Sequence, residues 1–207
     1  MMKRRRMIGV LVAALLVLTA AGCGASIGTT TSVTSATTVP QTTVTADEYD
    51  VYSALIQSVY IDAIQPKQIV ISTVNPHQQI MSAAPAMKSF WPELDDEIVG
   101  DFKAKNKSSS ALERTFTLSV PYTLMSEQEV TSIFSSSATG WDKFYGKYPD
   151  AKGFLALSRV GFNQAKDTAV LYTEYQSGLT AGEGDVVLMK KTDGHWTVEE
   201  NSMFWQS

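Results

Sequence analysis

The chain has 207 residues, 44% apolar and 18% charged, with a single cysteine, a composition typical of globular proteins. One Cys excludes an internal disulfide, a zinc ribbon and a CxxC redox pair. The basic residues Lys3, Arg4, Arg5 and Arg6 all precede Cys23, so from Cys23 onward 13 Lys and Arg face 21 Asp and Glu, a net charge of −8; a nucleic-acid partner needs a basic face and is not expected.

Lys3 to Arg6 form a charged start, and Met7 to Ala21 form an apolar run that ends in Leu18-Thr19-Ala20-Ala21-Gly22-Cys23. The run has the length of a secretory h-region and falls short of the roughly 20 residues of a spanning helix. Small residues directly before Cys23 resemble the lipobox of bacterial lipoproteins, although Ala20 stands where that motif more often has Leu. The resemblance implies cleavage after residue 22 and acylation of the Cys23 sulfur. It also implies a chain held on the extracytoplasmic side of the cell membrane by two or three acyl chains, a stable anchor. The other reading is an ordinary cleaved signal followed by a free thiol.

Residues 23–46 read as the lipidated Cys followed by a stalk: Gly24 to Ala46 holds nine Thr and three Ser, with no charge and no aromatic ring. Such a segment buries too little apolar surface to offset its ordering entropy. Gly24-Ala25-Ser26-Ile27-Gly28 matches G-x-S-x-G in letters only, because a nucleophile elbow needs a strand before it and a helix after it.

Residues 47–207 are expected to form one α+β domain: N-terminal helices packed on an antiparallel sheet that ends in a four-stranded meander. Thr45-x-x-Glu48 is a capping box, and Tyr52, Leu55, Ile56, Val59 and Ala63 follow on one helical face until Pro66. Gln68 to Val74 reads as a short strand stopped by Asn75-Pro76, and residues 75 to 91, with Pro76 and Pro85, as irregular. Pro92 suits the first position of a helix whose start carries Glu93, Asp95, Asp96 and Glu97 and whose end carries Lys103, Lys105 and Lys107. Thr115 to Tyr122 alternates as a strand, and Ser126-x-x-Glu129 opens a second capped helix. A helical turn or two spans Trp141 to Tyr148. Four strands follow at Phe154–Phe162, Ala169–Tyr175, Asp185–Lys191 and Trp196–Glu200, the last pair joined at Asp193-Gly194.

Residues 141 to 205 look like a group of uncharacterised secreted bacterial proteins, a match carried by Trp141, Phe144-Tyr145, Tyr148-Pro149, Ser158-Arg159-Val160-Gly161-Phe162-Asn163, Ala169-Val170-Leu171-Tyr172, Gly182-Glu183-Gly184, Gly194-His195-Trp196 and Trp205. That group implies no activity. Lys191 to Val198 is more loosely similar to the last hairpin of nuclear-transport-factor-2-like domains, cone-shaped α+β folds with a pocket between sheet and helices.

No chemistry stands out among the titratable residues. His77 and His195 lack the partners a zinc site needs, and no metal or cofactor motif occurs. Asp95-Asp96-Glu97 fan out around a helix and suit its dipole, while Gly178, Gly182 and Gly184 read as a turn needing positive φ. Arg159, a lone cation among apolar neighbours, pairs with a buried carboxylate (Glu174 or Glu183) or binds an anionic ligand. Trp141, Phe144, Tyr145 and Tyr148 form an aromatic stripe that is either core or a face for stacking on sugars. Arg159, Trp141 and Tyr145 are therefore the candidate ligand-binding residues and Cys23 the lipidation site. The expectation is a non-catalytic envelope module binding a protein, a glycan or a small ligand. The alternative is an envelope hydrolase or isomerase using Glu174 or Glu183 with Arg159.

Overall fold

Residues 43–108 and 110–207 are described by the computed structural model. The signal, Cys23 and the first 19 residues of the expected stalk lie outside them. The last stalk residues belong to the fold: Val44 is buried, and the Thr43 carbonyl accepts from Arg159 Nη2 at 3.1 Å.

α1 (Ala46–Leu55) opens where the capping box predicts, with Glu48 Oε2 accepting from the Thr45 backbone N–H at 2.9 Å. The helix then widens into a π-helical stretch, Ile56–Ile61, before a last turn, α2 (Asp62–Ile64). Hydrogen bonds from i to i+5 shift the side-chain period. Tyr60 and Ile61 are therefore the buried residues here, whereas Val59 is half-buried and Ala63 exposed, against the regular helical spacing. Gln65 takes a left-handed conformation (φ 52°) and ends the helix.

β1 (Gln68–Ser72) leads to α3 (His77–Phe90), a helix where the prolines suggest an irregular loop. Ile80, Ala83, Ala84 and Met87 recur at helical spacing and are all buried, while Pro85 lies on the exposed side. Burial of that face outweighs one proline. α4 (Asp96–Lys105) starts later than Pro92: Asp95 is its cap, accepting from Glu97 N at 3.0 Å, and Pro92 to Leu94 form a turn.

Of the alternating segment Thr115 to Tyr122 only Tyr122 is in a strand, as the first residue of β2 (Tyr122–Met125). The preceding stretch keeps its alternation, with Phe116 buried and Thr115 and Thr117 exposed, but it lies along α1 instead of in the sheet. Its amides bond helix side chains one turn apart: Glu113 N to Tyr49 OH (2.6 Å), Thr117 N to Ser53 Oγ (3.0 Å) and Ser119 N to Gln57 Oε1 (3.1 Å).

α5 (Glu127–Ile133) carries the expected Ser126/Glu129 capping box, and α6 (Gly140–Lys147) follows. Glu129 Oε1 also accepts from Tyr148 OH at 2.7 Å and pairs with Lys147, which pins the two helices together.

The remaining strands are β3 (Ala151–Leu157), β4 (Gly161–Phe162), β5 (Thr168–Gly178), β6 (Ala181–Thr192) and β7 (His195–Gln206). The seven-stranded sheet runs β2-β1-β3-β5-β6-β7, with β4 beside β5. It is mixed, not antiparallel throughout: β1 is parallel to both β2 and β3, and the meander from β3 to β7 is antiparallel. Parallel neighbours need long crossovers, and the segments carrying α3–α4 and α5–α6 supply them.

Helices cover both sheet faces. α1 and the π-helical turn pack on Ile69, Ile71, Leu155, Leu157, Leu171, Val187 and Met189. On the opposite face α3 and α4 pack on Val170, Tyr172, Val186 and Leu188, and α5 and α6 on Val70 and Ala151.

The two expected turns resolve differently from each other. Asp193 and Gly194 both have positive φ (51° and 83°), as a tight hairpin requires. The glycines of the preceding hairpin do not: Gly182 and Gly184 lie within β6. Gly184 is needed for space, because a Cβ there would stand 2.1 Å from Trp205 Nε1 and 2.4 Å from Tyr172 OH. The expected strand Phe154–Phe162 breaks at residues 158–160, between β3 and β4.

Candidate functional site

Arg159 sits in that break. Ser158 takes over the ladder with its side chain, Oγ accepting from Tyr172 N at 2.8 Å, and the Arg159 side chain leaves the sheet. It reaches Glu48 at the start of α1, with Nε to Oε1 at 2.6 Å and Nη2 to Oε2 at 2.8 Å. Nη1 donates to Ser110 Oγ at 2.9 Å. Both residues are buried, at 3% and 0% exposure, which makes this a structural ion pair. Glu48 also accepts from Val160 N at 3.1 Å. Burial pushes its carboxyl up, and the hydrogen bonds from Arg159, Thr45 and Val160 outweigh that and hold it below the ordinary range.

Glu48, not Glu174 or Glu183, is thus the carboxylate of Arg159. Register separates the other two. Glu174 opposes Gly184 and shares the α3–α4 face with Tyr172, whereas Glu183 opposes Tyr175 on the α1 face. Glu174 accepts from Tyr172 OH at 2.7 Å, and Tyr172 OH accepts from Trp205 Nε1 at 2.6 Å. On the other side Asp185, Thr173 and Tyr60 cluster, with Tyr60 OH 3.2 Å from Thr173 Oγ1. Burial raises the carboxyls of Glu174, Glu183 and Asp185 alike. The structure therefore does not bring Glu174, Glu183 and Arg159 into one site.

Trp141 is half-buried in the α5–α6 cluster, stacked on Phe154 with centroids 5.8 Å apart. Tyr145 OH donates to the carbonyls of Ser177 (2.8 Å) and Lys152 (3.1 Å), fastening α6 to the sheet.

The largest cleft is elsewhere, and neither Arg159, Trp141 nor Tyr145 lines it. It measures about 520 Å³, within the usual range of small-molecule sites. Its floor is the α3–α4 face of the sheet: Thr168 on β5, Leu188 and Lys190 on β6, and Glu200 on β7, where Thr168 opposes Lys190 and Leu188 opposes Glu200. Its wall is the α3–α4 connection, with Phe90, Trp91, Leu94 and Ile98. Phe90 is 43% exposed. Trp91 is buried, and its Nε1 donates to Glu200 Oε2 at 2.6 Å.

The charges in the cleft are held in place, and the Asp167 carboxylate lies one hydroxyl beyond Lys190, accepting from Thr168 Oγ1 at 3.1 Å and kept below its ordinary range by hydrogen bonds from Asn163 and Thr168 and by the Lys190 charge. Lys190 Nζ donates to the hydroxyl of Thr168 at 2.8 Å. Among the described residues neither Lys190 nor Glu200 belongs to an ion pair. An ammonium and a carboxylate thus line one apolar-walled cleft, each fixed by a neutral partner and apart from the other. Among the described residues no group of three or more His, Cys, Asp or Glu is placed to hold a metal ion.

Sequence reasoning missed these residues. Phe90 and Trp91 stand within the segment 75 to 91 that reads as irregular, Pro92 reads as the first position of a helix, and Lys190 and Glu200 read only as strand residues. The available signal was that Trp91 extends the spacing of Ile80, Ala83, Ala84 and Met87, which marks a helix running past Pro85.

Comparison with protein-family models, with curated proteins and with solved structures finds no match to this chain.

Proposed function

We propose that this chain is a membrane-anchored lipoprotein of the cell envelope, acylated at Cys23, whose domain is an extracytoplasmic binding module for a small amphipathic ligand. The anchor rests on the order of basic start, apolar run, small residues and Cys23. Binding rests on one observation, the 520 Å³ cleft in which Lys190 and Glu200 face an apolar wall without pairing. Preformed concave sites with a few fixed polar groups among apolar side chains are what small ligands occupy.

Two measurements test this reading. Cys23→Ser should abolish incorporation of an alkynyl fatty acid and move the protein from the membrane to the soluble fraction; unchanged labelling and partition defeat the anchor. A thermal-shift screen of the detergent-solubilised full chain against envelope glycans, peptides and small anions tests binding. A ligand at 100 times its Kd adds about 2.7 kcal/mol of stability. Leu188→Trp, which fills the cleft, should remove that shift.

A further inference from the structure

We propose that the cleft recognises a short zwitterionic peptide with apolar side chains, its ammonium at Glu200 and its carboxylate at Lys190. This rests on the cleft being the binding site and adds the chemistry of its ligand.

Leu188 opposes Glu200 across β6 and β7, and Lys190 lies two residues further along β6 on the same face. Across the bulge between Leu188 and Met189 the backbone positions of the two charged residues are diagonal neighbours, on the order of 7–8 Å apart. Both are drawn outward from that line. Lys190 leans to Thr168 on β5, and Glu200 leans to the Trp91 indole beneath the α3–α4 connection. A pair of opposite charges this close normally closes on itself; here each is tethered to a neutral group on its far side. Glu200 Oε1 has no hydrogen-bond partner among the described residues, so one oxygen remains to accept from a ligand.

The separation selects the ligand. Extended chain advances about 3.3–3.6 Å per residue, and the outward lean of both side chains sets their charges at least as far apart as the backbone positions, so a dipeptide or tripeptide reaches from one to the other where a single amino acid does not. Phe90, Leu94, Ile98 and Leu188 line the same cleft and receive apolar side chains. Glu93 and Asp95 on the wall add negative charge that favours the ammonium and disfavours a simple anion. A neutral sugar uses neither charge.

The test is calorimetric titration of the detergent-solubilised full chain with Leu-Phe, N-acetyl-Leu-Phe, Leu-Phe amide and N,N′-diacetylchitobiose. The free dipeptide should bind, and each blocked form should bind about tenfold or more weakly, as expected for loss of a charged hydrogen bond. Lys190→Met should bring the free acid down to the amide and leave the amide unchanged. Glu200→Gln, which keeps an acceptor for Trp91, should bring the free amine down to the N-acetyl form. Equal binding of free and blocked peptides, or binding of the chitobiose alone, overturns the charge assignment and leaves the cleft as a site. Dipeptide binding that survives Leu188→Trp overturns the cleft itself.

Discussion

Arg159 and Glu48 are both withdrawn from water, and the guanidinium, with the Thr45 and Val160 amides, outweighs the burial of Glu48 and holds its carboxyl below the ordinary range. Their bidentate geometry joins the first turn of α1 to the break between β3 and β4. Removing one partner of such a pair strands a buried charge and costs about 3–5 kcal/mol. Glu48→Ala should therefore lower the unfolding free energy measured by urea titration by that amount, while Glu48→Leu with Arg159→Met should recover much of it. No recovery in the double variant means that the polar bonds to Ser110, Thr45 and Val160 matter more than the pair. Gly184 is the opposite case, a residue defined by missing atoms. Gly184→Ala drives a methyl into Trp205 and Tyr172 and should destabilise by about 1–3 kcal/mol; an unchanged melting temperature excludes that crowding.

Helix α3 forms in spite of Pro85, which removes one backbone donor and clashes with the preceding turn. Its ring is exposed, so nothing in the core depends on it. Pro85→Ala should stabilise the protein by about 1–2 kcal/mol, the helix gain less the added freedom of the unfolded chain. Chemical denaturation checks the sign, and a loss of stability excludes a strained helix. The extended segment beside α1 teaches a related lesson. Residues 113–119 alternate as a strand does because one side is buried, yet their amides go to Tyr49, Ser53 and Gln57. Alternation reports which side is covered; it does not report what receives the hydrogen bonds.

Across the molecule, two sets of carboxyls pull stability in opposite directions with pH. Glu174, Glu183 and Asp185 have raised values in the fold, so the folded state takes up protons first as pH falls, and stability rises from neutral pH toward the ordinary carboxyl range. Glu48 and Glu129 are depressed; their contribution is complete above the unfolded value and is lost as pH drops through the folded one. The melting temperature should thus pass through a maximum on the mildly acid side, near pH 5, and fall steeply below about pH 4. Asp185→Asn should flatten the neutral limb alone. A monotonic fall from pH 7 defeats the assignment of the raised set.

Two helix starts and one tight turn were legible from residues alone, whereas the start of α3 and the later start of α4 were not. Thr45 with Glu48, Ser126 with Glu129, and Asp193-Gly194 each act on partners three or four positions away, so their chemistry is written locally. The order of helices and strands followed from the same short-range periods. The parallel placement of β1 between β2 and β3, the helices on both faces, the partner of Arg159 and the cleft were decided by tertiary structure. Glu48 lies 111 residues from Arg159, and with 21 acidic residues in the chain no local rule selects it. Phe90, Trp91, Lys190 and Glu200 come from a helix end, a turn and two strands, and they share a site only because β6 and β7 pair in one register beneath the α3–α4 connection. Side chains separated by a hundred residues meet through the summed packing of everything between them, which no pattern of neighbours contains.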